Sequence, residues 1–329
     1  MTGDIKVSIV CNVYNHENYL RKALESFVSQ KTNFAYEVLI HDDASTDHSA
    51  EIIKEFEEKY PQIIKPIYQT ENQWSKGIHV TNVFQYPRAE GEYIAFCEGD
   101  DYWIDDQKLQ KQADYMDSHP DCAICFTNGL IEDMVDGSFR DFIPYNEQDR
   151  SFYKDENREY TLHNMYELSF VPTASYFYRK STCLYTSSLY QNACPTGDLK
   201  IRLYLMTQGY AYYLKDKTCV YRQNVPNSAM TKWKKQSREK AQKHNNLVLS
   251  MLNHLDVFTE GAYSEGLFKI KESFIIGLLF SATSFGILKD PLCKRVYQSF
   301  SAKKKIKFII KVLTPEWGLR LREKLKKKG

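Results

Sequence analysis

The chain lacks any apolar run long enough to cross a bilayer. The run from Phe274 to Leu288 stops at fifteen residues, where a spanning helix needs about 20, so a buried or partner-contacting helix is expected there. A glycine-rich, basic loop of the kind that cradles a triphosphate is also missing, which counts against a nucleotidyltransferase. No base-reading motif accompanies the basic residues, so no nucleic-acid partner is expected. Of eight cysteines, only Cys122 and Cys125 have redox spacing. They fall in a strand-like run with no second pair, and together with Cys11 and Cys97 they read as buried packing residues. The start, Met1-Thr2-Gly3-Asp4, carries no basic-apolar leader, so a cytoplasmic location is expected. What remains is a globular composition, 43% hydrophobic and 26% charged over 329 residues, enough for one large α/β domain with an appendage.

Within it, an apolar strand from Tyr93 to Cys97 ends abruptly in Glu98-Gly99-Asp100-Asp101. Three carboxylates in four residues repel one another unless a cation neutralises them. Mg²⁺ and Mn²⁺ take oxygen ligands, commonly one or two protein carboxylates with phosphate oxygens and water completing the shell. The bland alternative is a solvated acidic turn capping the following helix.

The preceding residues repeat one unit. Ile5 to Cys11 is an apolar, β-branched run that stops at Asn12-Val13-Tyr14-Asn15, after which Leu20, Ala23, Leu24 and Phe27 fall at helical spacing. Tyr36 to Ile40 ends in His41-Asp42-Asp43, and Ile52, Ile53 and Phe56 mark another amphipathic helix. Alternating strands and helices imply parallel pairing with right-handed crossovers, placing the loops after Cys11, Ile40 and Cys97 along one sheet edge. Ligands of open α/β sheets bind at that edge.

Five ordered motifs carry a resemblance: Val7-Ser8-Ile9-Val10-Cys11-Asn12-Val13-Tyr14-Asn15; Asp42-Asp43-Ala44-Ser45-Thr46-Asp47; Glu71-Asn72 through Gly77 to Asn82; Ala89-Glu90-Gly91-Glu92-Tyr93-Ile94-Ala95; and Glu98-Gly99-Asp100-Asp101. Over about the first 125 residues, and less closely to about 225, the chain resembles the inverting, metal-dependent family 2 glycosyltransferases of bacterial capsule and surface-polysaccharide synthesis. It departs from them in Asn12-Val13, where Pro-Thr is usual, and in Glu98, where Asp is usual. The resemblance implies a GT-A fold, a Rossmann-like, mostly parallel sheet flanked by helices. It also implies that Asn12, Tyr14, Asn15 and Asp43 hold the nucleotide base, which favours a UDP- or dTDP-sugar because a carboxylate accepts the ring N–H of uracil or thymine. Asp100 would face the ribose or the metal-bound diphosphate, and Asp101 would ligate Mn²⁺ or Mg²⁺ with Glu98 and Asp100 alongside. Asp198, in Pro195-Thr196-Gly197-Asp198, stands where the family places its base, although it would also suit a helix N-cap. Arg222 would be a second diphosphate clamp on a loop over the donor, or else an exposed strand end. Asp42 is expected to accept N–H groups of its own turn, and Asp133, Asp136 and Asp141 to lie in loop.

Charge is concentrated at the end. From Lys303 to Gly329, eleven Lys or Arg stand against Glu316 and Glu323, a net of +9; the whole chain is +2, so the rest carries −7. Ile306, Ile309, Ile310 and Leu313 lie at helical spacing, Pro315 interrupts, and Trp317, Leu321 and Leu325 form a second stripe. Such helices suit an anionic membrane surface. Many tyrosines gather between Phe139 and Tyr221, where they suit an acceptor wall for sugar. The expected organisation is a glycosyltransferase domain over 1–230, with a nucleotide-sugar and metal half (1–125) and an acceptor half (126–230), then a helical region with a basic tail over 231–329. The expected activity moves a hexose-type sugar to a glycan acceptor, lipid-linked and on the inner membrane face. A homo-oligomer stays open. The alternative is a non-catalytic nucleotide-sugar-binding subunit of another transferase.

Overall fold

The computed structural model describes residues 4–182, 196–226, 228 and 237–314. Two compact units emerge: Met1–Tyr190 with Ile201–Val225, and Gln191–Lys200 with Pro226–Gly329. The boundary expected at 230/231 lies outside the described residues.

The first unit holds one sheet of ten strands: β1 (Ile5–Val13), β2 (Ala35–Asp42), β3 (Ile64–Tyr68), β4 (Tyr93–Phe96), β5 (Tyr102–Trp103), β6 (Cys122–Asp133), β7 (Phe139–Asp141), β8 (Arg158–Tyr160), β9 (Phe177–Arg179) and β10 (Tyr210–Gln223). Their order is β3-β2-β1-β4-β9-β6-β10-β5, with β7 beside β6 and β8 beside β10. The first four strands are all parallel, as the alternating pattern requires. Beyond them the sheet is mixed, because β9 enters antiparallel between β4 and β6. The stretch read as loop around Asp133 and Asp141 holds the end of β6 and all of β7.

Helices α1 (Leu20–Val28), α2 (Ser49–Lys59) and α3 (Lys108–Ser118) present Leu20, Leu24 and Phe27, then Ile53 and Phe56, then Leu109 and Met116, to one core with Val7, Ile9 and Ile40 of the strands. The 3.6-residue spacing of these side chains gives each helix a single apolar stripe, and burying it supplies most of its stability. Cys11, Cys97, Cys122 and Cys125 are free and buried. Several charged side chains are buried as well, Glu37, Asp101, Lys108 and Arg222 among them. Lys108 is fully buried; its Nζ donates to Gln112 Oε1 at 2.7 Å and lies 4.3 Å from the centre of the Trp103 ring. Burial pushes its pKa down to about 8.

A one-turn helix, α4 (Glu147–Arg150), and α5 (Gly197–Leu205) precede the helices of the second unit: α6 (Arg238–Phe258), α7 (Ser264–Ser281), α8 (Pro291–Gln298) and α9 (Ala302–Leu313). The apolar run from Phe274 is divided between α7 and a 3₁₀ turn, with Ile275 and Leu279 packed against Cys293, Val296, Phe300 and Phe308. Among the described residues no helix is long and apolar enough to cross a membrane.

Candidate functional site

Three parallel strands deliver three loops to one edge, and main-chain hydrogen bonds join the loops. Val13 pairs with Asp42 across β1 and β2, and Val10 with Phe96 across β1 and β4. Beyond the paired residues, Asp43 N–H donates to Val13 O at 2.9 Å, Cys97 N–H to Val10 O at 3.1 Å and Gly99 N–H to Asn12 O at 3.2 Å. Asp42, Asp43 and the acidic turn are thereby brought beside Asn12 to Asn15.

The β1 loop is held by short polar side chains. Asn15 takes a left-handed φ of 58°, donates its N–H to Ser45 Oγ at 2.9 Å and accepts Thr46 N–H at 2.7 Å through Oδ1. Asn and Asp adopt this conformation more readily than other non-glycine residues, because their short side chains bond locally. Asn12 Nδ2 donates to Thr81 Oγ1 at 2.8 Å, while Asn12 Oδ1 is buried without a hydrogen bond. Tyr14 is exposed.

Asp42 accepts the Ser45 N–H at 3.3 Å, the turn role expected of it, and burial raises its pKa. Asp43 is buried, with both carboxylate oxygens engaged: Oδ1 accepts Gln73 N–H at 2.7 Å and Oδ2 accepts Trp74 N–H at 3.0 Å. Its carbonyl takes Asn72 Nδ2 at 3.1 Å. Each carboxylate oxygen has a second acceptor site, so Asp43 keeps capacity for a ring N–H. The loop from Asn72 to Trp74, which leaves the indole exposed, went unassigned in the sequence; its only signal was the Glu71-Asn72 motif.

In the acidic turn Glu98 is exposed, Asp100 half-buried and Asp101 buried. Asp101 Oδ1 accepts the main-chain N–H of Arg222 at 2.9 Å. The Asp101 carboxyl is held well above the usual carboxylate range, first by burial and then by the charge of Asp100, with Glu98 adding to it. Arg222 lies inside β10 and is itself buried, so it is neither on a covering loop nor an exposed strand end. Its Nη1 donates to the Asp100 carbonyl at 2.7 Å, its Nε lies 3.3 Å from Glu132 Oε2, and its guanidinium stands 4.5 Å from the Tyr102 ring centre and 5.3 Å from that of Tyr19. Glu132 and Tyr19 carried no sequence signal, because contacts over long sequence separations bring them to Arg222, while Tyr102 follows directly on the acidic motif. At Gly99 a Cβ would come within 2.9 Å of His16 Nδ1 and 3.1 Å of Leu20 Cδ1, so the missing side chain lets the turn settle on the β1 loop.

The donor set suits a hard divalent cation: carboxylates only, with mutual repulsion already visible at Asp101. Among the described residues no group of three His, Cys, Asp or Glu is assembled to hold a metal; Mg²⁺ and Mn²⁺ commonly complete their shells from substrate phosphates and water. Asp198 occupies the first turn of α5, one residue inside its start; a carboxylate there faces the positive end of the helix dipole. Pro195 lies outside the described residues.

The family model described as glycosyl transferase family 2 matches residues 8–181, more than half of the chain. This chain belongs to glycosyl transferase family 2. A Mycobacterium tuberculosis protein of uncharacterized role is 48% identical to it over 120 residues, 36% of this chain and 34% of that one. The family 2 chain thus spans about a third of the length of such curated relatives. S. aureus TarS in complex with UDP-GlcNAc shares its fold with a TM-score of 0.58 at 19% identity, over 94% of this chain and 89% of that one. A mannosyltransferase from Pyrobaculum calidifontis, in complex with GDP-Man and Mn²⁺, does so with a TM-score of 0.53 at 13% identity, over 94% and 85%. Both likenesses support the GT-A fold.

Proposed function

We propose that this family 2 chain is a metal-dependent, inverting glycosyltransferase that moves a hexose-type sugar from a UDP- or dTDP-sugar to a glycan acceptor. The observation that carries the reading is the joining of the base-binding loop, Asp43 and the acidic turn at one sheet edge. In this reading Asn12, Tyr14, Asn15 and Asp43 bind the base, and Asp43 is held rigid by its two main-chain donors. Asp101 would hold Mn²⁺ or Mg²⁺ directly, with Asp100 toward the ribose or the metal-bound diphosphate and Glu98 acting through water. The bound cation would offset the negative charge gathering on the departing diphosphate. Arg222 holds the turn in place through the Asp100 carbonyl.

Asp198 takes the proton of the acceptor hydroxyl as that oxygen attacks the anomeric carbon, and the C–O bond to the diphosphate breaks with its electron pair leaving on phosphate oxygen. Attack opposite the leaving group inverts the anomeric centre. The acceptor is a lipid-linked glycan met at the inner face of an anionic membrane, for which the basic C-terminal sequence is the support.

Thermal unfolding against UDP-, dTDP- and GDP-sugars, with and without Mn²⁺, tests the donor. A ligand bound only to the folded state at a hundred times its Kd adds about 2.7 kcal/mol. Melting should rise with a UDP- or dTDP-sugar and Mn²⁺ together, and far less with either alone. A shift with GDP-sugars alone would overturn the donor assignment, and nucleotide binding without transfer to any glycan would favour the non-catalytic subunit.

A further inference from the structure

We infer that α9 is the element that docks on an anionic lipid surface, lying flat in the interface with an aliphatic ridge turned to the acyl chains. The helix has two apolar faces. Phe308 and Val312 point into the second unit's core, where the Phe308 ring meets those of Phe280 and Tyr297. The opposite face carries Ile306, Ile309, Ile310 and Leu313, of which Ile306 is 58% and Leu313 68% exposed. Four large aliphatic side chains at i, i+3, i+4 and i+7 make a continuous stripe, and leaving such a stripe in water is unfavourable.

The helix is held in this orientation. Ser301 caps its start by accepting the Lys304 N–H, and the Arg238 guanidinium donates to the carbonyls of Lys311 and Thr314 at 2.9 and 3.0 Å at its end. The ridge therefore stays outward while Phe308 stays inward.

Charge selects the occupant. The helix carries Lys303, Lys304, Lys305, Lys307 and Lys311 and no acidic residue. Four of these flank the buried face: Lys304 lies 4.3 Å from the Phe300 ring centre, Lys305 5.7 Å from that of Tyr297, and Lys307 and Lys311 5.9 and 5.8 Å from that of Phe280. The ammonium groups thus border the ridge, where their flexible stems can reach headgroup phosphates while the isoleucines sink below them. Twelve residues make about 18 Å of helix, too short to span a bilayer. The sequence beyond it, outside the described residues, adds Trp317 and further basic residues of the same character. This deepens the membrane part of the proposed function and is independent of the transfer chemistry.

The test uses the full chain and sedimentation with vesicles of phosphatidylcholine, with or without phosphatidylglycerol. The wild-type chain should partition onto the anionic vesicles only, with partial release as salt rises. Ile306→Glu with Ile310→Glu should lower partitioning about tenfold or more with an unchanged melting temperature, because both side chains face outward. Lys307→Gln with Lys311→Gln should weaken binding and flatten its salt dependence. If the Glu pair sediments like the wild type, the ridge is not the docking element although the chain still reaches membranes. If the wild type binds no vesicle, the membrane reading falls as well. If the Glu pair instead converts a dimer to a monomer in light scattering, a second copy covers the ridge and the inference is overturned.

Discussion

Arg222 gives its main-chain N–H to the Asp101 carboxylate and its guanidinium to the Asp100 carbonyl, at 2.9 and 2.7 Å, so one residue of β10 secures two consecutive residues of the acidic turn. The first bond needs only a main-chain N–H, which every residue but proline supplies; the second needs the guanidinium. Arg222→Ala should cost about 3 kcal/mol or more, because it leaves Glu132 and the turn without their buried partner, and the urea midpoint should fall at an unchanged slope. Arg222→Lys should recover only part of this, since an ammonium keeps the charge but not the planar fork. An alanine variant as stable as the wild type would show the main-chain bond alone holds the turn.

Asp101→Asn keeps an oxygen for the Arg222 N–H and removes a charge that the fold disfavours. The folded-state pKa of Asp101 is raised, so above the ordinary carboxylate range near 4 its ionisation subtracts from stability. The variant should therefore be at least as stable as the wild type at pH 7, with its advantage shrinking as the pH falls toward 4. It should also lose the Mn²⁺-dependent thermal shift with UDP. Full transfer by this variant in EDTA would remove Asp101 from the metal site.

Asp198→Asn should slow transfer about a hundredfold or more while donor affinity stays close to that of the wild type. Asn retains size and local hydrogen bonding near a helix start, so a joint fall in affinity, turnover and melting temperature would mark a structural role instead.

Lys108 supplies an alkaline signature. Its folded pKa of about 8 lies below the ordinary lysine value near 10.5, so between these limits the unfolded chain binds more protons and stability contributed by this group rises with pH. Lys108→Met has no such group. The unfolding free energy of the wild type minus that of the variant should increase by up to about 3 kcal/mol from pH 7 to 10.5. A flat difference would mean the ammonium stays hydrated in the fold.

Local pattern carried the parallel half of the sheet into view: apolar runs ending in polar loops, helices with one stripe, and an Asp42 placed to bond its own turn. The ridge of α9 was legible in the same way, though not that Phe308 and Val312 would take the inward face. Long-range pairing hid the rest. Nothing near Arg222 in sequence announces Asp100, Tyr19 or Glu132, which lie on other elements, and nothing near Asp43 shows that the main chain at Gln73 and Trp74 would occupy its oxygens. The antiparallel entry of β9 is invisible to periodicity, because three residues of strand leave too little pattern to read.

That short strand governs how the molecule can be made. Tyr93 of β4 waits for Arg179, 86 residues later in the chain, and until β9 arrives the acidic-turn strand is an open edge with unpaired amides. A fragment ending near residue 125 would contain every proposed base-binding and metal-holding residue, lacking only Arg222 and Asp198 of the proposed site, yet expose that edge to other copies of itself. During synthesis the first half must remain incomplete until about residue 180 has emerged, so closure is a late, non-local and correspondingly slow event. The proposed donor site and sheet completion are for this reason a single inheritance, which recombination at the midpoint of the first unit would break.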